Sequence, residues 1–149
     1  MRIFSFLLFA LLFLSACNTD STTTETTTDT EAESVDVVLA DFNTFYDQFH
    51  EDSTYQKAHI LFPIQGIPSN ADSLTLADRN FRWTEENWVV QNAIAANSGF
   101  TSTILPVDSA LVIERIMHKT GQYAMERRFA KMNGEWMLIY YAGLNRVNQ

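Results

Sequence analysis

Glu114 and His118 lie four residues apart, close enough to share one face of a strand, and both are types that can move a proton. In an apolar pocket a carboxylate or an imidazole can serve as general base, because burial shifts its pKa. These two are therefore the candidate catalytic residues. Tyr46, His59, Trp88, Tyr123, Arg127, Trp136 and Tyr140 are the candidate ligand-pocket wall. Most are rings that offer apolar area with a polar tip. A plainer reading makes Glu114 and Arg127 a structural ion pair, with His118 and the tyrosines at a sheet rim and the tryptophans as core. His59 could equally be a hydrogen-bonded core histidine. His50, Glu51 and Asp52 could hold a cation, or simply form a solvated helix end. The histidines are far apart, no zinc-type Cys/His spacing occurs, and no metal site is expected. The chain lacks a nucleophile elbow, a phosphate loop, a dinucleotide fingerprint and a metalloprotease motif, so no cofactor is expected either.

Those residues need elements to position them. Val35, Val38, Phe42, Phe45 and Phe49 recur at steps of three and four, the stripe of an amphipathic helix, with Ser34 placed to cap it. Ser53 and Gln56 have the spacing of a capping box for a short second helix. Ile60 to Ile64 (ILFPI) reads as an edge strand because of Pro63, with Gly66 and Pro68 turning the chain. Thr84 to Trp88 reads as a helix start running towards Ala96.

The last third reads as a β-meander with strands Phe100 to Leu105, Ala110 to Lys119, Gln122 to Met132 and Glu135 to Gly143. Asn133-Gly134 is the stronger hairpin signal and Thr120-Gly121 the weaker. With two-residue loops, Glu114 faces Arg127 and Arg115 faces Glu126, opposite charges in both cases. The same register places Glu114, His118, Tyr123, Arg127, Trp136 and Tyr140 on one face. The other face carries Leu111, Ile113, Met117, Met132, Met137 and Tyr141. Both are largely apolar, so one should take the long helix while the other packs on a partner, a homodimer being the first candidate.

Hydrophobic residues make up 46% of the 149-residue chain and aromatics 13%, enough for one folded core. The formal net charge of −8 argues against nucleic-acid binding, which needs a clustered basic surface. Met1-Arg2, the apolar run Ile3 to Leu14 and small residues before Cys17 describe a secretory signal. Leu14-Ser15-Ala16-Cys17 resembles a lipobox. The resemblance implies cleavage between Ala16 and Cys17 and lipidation of the Cys17 thiol and amine. Acyl chains add ~0.8 kcal/mol of membrane affinity per buried CH₂. Asn18 after the cysteine resembles the outer-membrane sorting pattern. Residues 18–34, almost all Thr, Ser, Asp and Glu, read as a solvated tether. The expected organisation is thus residues 1–16 signal peptide, 17–34 lipidated cysteine and tether, and 35–149 one α+β domain.

Helices followed by a curved antiparallel sheet ending in a Gly-x-Trp strand resemble the nuclear-transport-factor-2-like (cystatin-like) α+β fold. Asp41 to Gly66, Arg82 to Trp88 (RWTEENW) and Asn133 to Asn145 (NGEWMLIYYAGLN) further resemble a Bacteroidetes lipoprotein family, domain of unknown function 4348. That family implies a fold and an address and no activity. The expected function is a lipid-anchored envelope module, more readily non-catalytic than enzymatic, binding a small ligand or an envelope protein. The alternative is a small acid–base enzyme of the isomerase or dehydratase kind, with a pocket between the first helix and the sheet.

Overall fold

The computed structural model describes residues 28–147, so the expected cleavage between Ala16 and Cys17, the expected lipidation of Cys17 and most of the expected tether lie outside it. Helix α1 spans Thr28–Glu51. It starts ahead of Ser34, which is therefore inside the helix and not its cap. The acid-rich residues 29–33 suit a positive helix start as well as a tether. Phe42, Phe45 and Phe49 are buried as their spacing predicts, whereas Val35 stays 41% exposed.

Helix α2 (Ser53–Ala58) is capped by Asp52 and not by Ser53. The Asp52 carboxylate accepts from the Thr54 and Tyr55 amides at 2.8 and 3.1 Å. A carboxylate beside the exposed helix amides is a stronger cap here than a capping box, and Gln56 is released for a buried role.

Strand β1 (Ile60–Ile67) is not an edge. It pairs parallel with the last strand, β6 (Glu135–Arg146), and antiparallel with β2 (Arg82–Trp83). Pro63 is tolerated because the β1–β6 ladder shifts register between Ile60 and Gln65, where no regular donor is needed. Gly66 belongs to the strand, not to a turn. A Cβ there would collide with the Tyr141 carbonyl and the Trp83 indole, which crosses the strand to donate to that carbonyl at 2.9 Å. A short helix that the periodicity did not reveal, α3 (Ser73–Asp78), follows with Asp72 as its cap.

No helix forms from Thr84. Residues 85–87 make a turn and 88–95 run irregularly. β-branched Val89 and Val90 disfavour helix, and the Gln91 amide is taken by the Gln56 side chain at 2.8 Å.

The meander forms as expected with β3 (Phe100–Asp108), β4 (Leu111–His118) and β5 (Tyr123–Met132) preceding β6. The sheet order is β2-β1-β6-β5-β4-β3. Glu114 opposes Arg127 and Arg115 opposes Glu126. Asn133 and Gly134 both have positive φ, 54° and 91°, which the two-residue turn requires. At the other hairpin the His118 carbonyl accepts from the Gly121 amide at 2.7 Å, and four residues separate the strands.

One bulge redraws the faces. Phe129 still opposes Leu138, but Arg128 opposes Tyr140 and Arg127 opposes Tyr141, leaving Ile139 as the extra residue. Between it and a second shift, opposite Ala124 and Glu126, β6 residues exchange faces. Tyr141 joins the helix-covered face and Tyr140 the outer one, the reverse of the expected sorting.

Candidate functional site

Helix α1 lies on the inner face, and aromatic rings fill the space beneath it. Phe129 meets Phe42, Phe45 and Phe49 edge-on, at centroid distances of 5.3, 5.7 and 5.5 Å. Trp136 stands edge-on to Phe42 at 5.2 Å, and its indole N–H donates to Asp41 at 2.8 Å. Lys131 joins that carboxylate at 2.7 Å, and with the indole holds its pKa below the usual range.

Beside this aromatic block lies a polar network. Ile104, Glu114, Arg127, Tyr141 and Gly66 form one cross-sheet row through four ladders. Glu114 and Arg127, 0% and 1% exposed, pair at 3.0 Å. The second Glu114 oxygen accepts from Tyr46 Oη at 2.7 Å and Ser102 Oγ at 2.6 Å. Three donors thus converge on a single buried carboxylate. Burial, and then the negative charge of Glu114, push the Tyr46 phenol well above its ordinary pKa, so it stays a donor.

His50 completes the cluster. Its Nδ1 lies 2.8 Å from the Tyr46 carbonyl, which can only accept, so Nδ1 carries the proton. Nε2 then accepts from Arg127 Nη1 at 2.9 Å. Burial lowers the His50 pKa, favouring the neutral ring that this geometry needs. His50 thus faces inward while Asp52 caps α2, so His50 and Asp52 do not converge, in keeping with the plainer helix-end reading.

Gln91 bridges the irregular segment to the network. Its Oε1 accepts from Tyr141 Oη at 3.1 Å and, more loosely, from Arg127 Nη2 at 3.5 Å. Fully buried Gln56 fixes that segment with four hydrogen bonds. It donates to the Phe49 and Gln91 carbonyls and accepts from the Trp88 indole and the Gln91 amide. Arg127 Nε is the one buried side-chain polar atom without a partner among the described residues.

Of the expected wall, only Tyr46 and Arg127 meet Glu114. His118 is turned to Thr120 Oγ1 at 2.9 Å and packs on Phe100 at the rim, with Tyr123 beyond it. Trp88 is core, packed against Tyr141 and Trp83. His59 stacks on Tyr55 at 3.8 Å and lines a surface groove with Asp41, Gln48, Glu135 and Trp136. Tyr140 lies on the outer face because of the bulge. Gln56, Gln91 and Ser102 were not expected at a site, His50 was weighed only as a cation ligand or part of a solvated helix end, and Tyr141 was placed on the opposite sheet face. Only His50 left a signal, standing four residues after Tyr46 on the same side of α1.

Chemically, the inner cluster ties α1 to four strands, β3 to β6, and to the irregular segment. Its carboxylate accepts from three donors and has no exposed surface, so it fastens elements together and is closed to substrate.

No family model matches the chain, and no curated protein matches it. Among solved structures, a cystatin-like protein from Bacteroides caccae superposes with a TM-score of 0.50 at 16% identity, covering 68% of this chain and 74% of that one. An NTF2-like protein from Bacteroides fragilis gives 0.49 at 15% identity, covering 72% of this chain and 47% of the other, so this chain spans about half that structure's length. An NTF2-like protein of unknown function from Shewanella baltica gives 0.37 at 16%, with coverage of 84% and 100%. Likeness at these identities bears on the fold alone. The chain has the α+β, cystatin-like or NTF2-like fold, a few helices on a six-stranded mixed sheet.

Proposed function

We propose that this chain is a lipid-anchored cell-envelope lipoprotein whose folded domain is a non-catalytic binding module, akin to the lipoproteins of domain of unknown function 4348. The observation that carries the non-catalytic reading is the burial of Glu114. The strongest candidate base is sealed at 0% exposure between Arg127, Tyr46 and Ser102, and the space under α1 is filled by the domain's own rings. An acid–base enzyme needs a titratable group that substrate can reach. His118, at the rim, has no carboxylate partner to tune it among the described residues.

Binding then falls to the outer surface. Leu105, Met117 and Met132 are between 37% and 45% exposed there, alongside Leu111, Ile113, Met137 and Ile139. A second copy of the chain or an envelope protein could cover that band. The address rests on the Leu-Ser-Ala-Cys string before a polar tether, with lipid on Cys17 holding the domain at the outer membrane.

Mass spectrometry of the mature chain tests the anchor: its first residue should be an acylated Cys17, and Cys17→Ser should move the protein from the detergent phase to the aqueous phase. A mature chain starting elsewhere, or wild-type protein soluble without detergent, overturns it.

A further inference from the structure

We propose that the outer face carries a site for a small organic anion, a carboxylate or phosphate on a compact apolar body, held between Arg79 and Arg128. This goes further than the binding-module reading, on which it rests, by naming the place and the ligand's chemistry.

Four observations support it. First, a cavity of about 390 Å³ opens between α3 and the sheet, lined by Gln65, Ile67, Leu76, Arg79, Arg128 and Tyr140. That is within the range of small-molecule sites, roughly 300–1,000 Å³. Second, its wall holds two guanidiniums and no carboxylate, in a chain whose net charge is −8. Glu126, the acid paired with Arg128 at 2.6 Å, is shared with Arg115 at 3.4 Å. Ile67 is also a wall of a neighbouring hollow lined by Arg115, Arg146 and Glu126, so across the two hollows four guanidiniums face one carboxylate.

Third, the two arginines are presented and not merely exposed. Arg128 lies over the Tyr140 ring at 4.4 Å, and Glu126 occupies its Nε and Nη2, which leaves Nη1 without a partner among the described residues. Arg79 ends α3 in the left-handed region, φ 54° and ψ 13°, a conformation that a long side chain adopts only against a steric cost. Its guanidinium has no ion pair among the described residues. Fourth, the Ile139 bulge turns Tyr140 outward to form this wall. Bulges recur where a side chain must be re-aimed at a site. Guanidinium forks match the planar oxygens of carboxylate and phosphate, while Ile67 and Leu76 supply an apolar floor.

The experiment uses the full chain in detergent, titrated with benzoate, phenyl phosphate, neutral benzyl alcohol and inorganic phosphate, and read by calorimetry and thermal shift. Benzoate or phenyl phosphate should bind saturably, and the better of the two identifies the oxyanion. Arg128→Gln and Arg79→Gln should each weaken that binding about tenfold, the loss of one charged hydrogen-bond pair. Benzyl alcohol and inorganic phosphate should bind at least about tenfold more weakly, each lacking half the ligand. Arg79→Gly removes the charge while relieving the left-handed backbone, so reduced binding in that variant cannot be blamed on unfolding.

No saturable binding below ~10 mM, equal binding of the neutral probe, or binding indifferent to both arginines overturns the site. Chemical conversion of a bound probe would instead overturn the non-catalytic reading, and the two failures are therefore distinct.

Discussion

Nε2 of His50 stands 2.9 Å from Nη1 of Arg127, and since a guanidinium can only donate, the imidazole accepts. Protonating His50 would turn that hydrogen bond into a repulsion between two buried cations. Burial holds its folded pKa below the ordinary 6.5. The unfolded chain therefore binds the His50 proton more readily than the folded one. This contribution is fully present above about pH 6.5 and is lost as the pH falls towards the folded pKa. Urea midpoints should drop between pH 7 and 5, and His50→Gln should flatten that slope. An unchanged slope in the variant would remove His50 as its cause.

Glu114 and Arg127 should be costly to separate and cheap to replace together. Glu114→Gln or Arg127→Met leaves the other group buried with less compensation, a loss of about 3–5 kcal/mol. The double variant Glu114→Leu/Arg127→Met should recover much of it. If urea unfolding shows the double variant losing the sum of both single effects, the pair is not an isolated bolt but part of a wider requirement.

Gln56 uses all four of its hydrogen-bonding positions on α1, Trp88 and Gln91. Gln56→Ala strands several of those groups in the interior, at about 1–3 kcal/mol for each that water cannot reach. Residues 88–95 should then exchange amide hydrogens much faster, while the β4–β5 hairpin keeps its protection. Uniform acceleration across the sheet would mean that Gln56 supports the whole core.

Gly66→Ala places a methyl group against the Tyr141 carbonyl and the Trp83 indole. Both neighbours are fixed, one as backbone and one by its own hydrogen bond, so overpacking should cost about 1–3 kcal/mol or more. Gly121→Ala, with open space around it and a left-handed φ of 71°, should cost about 1–2 kcal/mol through backbone strain alone. Trp83 fluorescence should shift for Gly66→Ala only; a shift in both would point to global loosening.

Much of the fold was legible because it rests on local chemistry. The Phe42-Phe45-Phe49 stripe specified a helix and its buried side. Asn133-Gly134 specified a turn that only residues tolerant of positive φ can make. A turn centred on Thr120-Gly121, together with opposite charges along β4 and β5, set Glu114 against Arg127. Errors fell where one local signal competed with another: Asp52 displaced Ser53 as a cap, and the Gln91 amide went to a side chain and not to a helix.

What tertiary structure alone decided was the face on which each late side chain stands. A sheet has a period of two, so one extra residue, Ile139, sends Tyr141 to the core and Tyr140 outward. No propensity marks that insertion. The chain's own chemistry named Glu114 and Arg127 as partners, and packing determined that they are sealed beneath a helix while Arg128 and Tyr140 face the solvent.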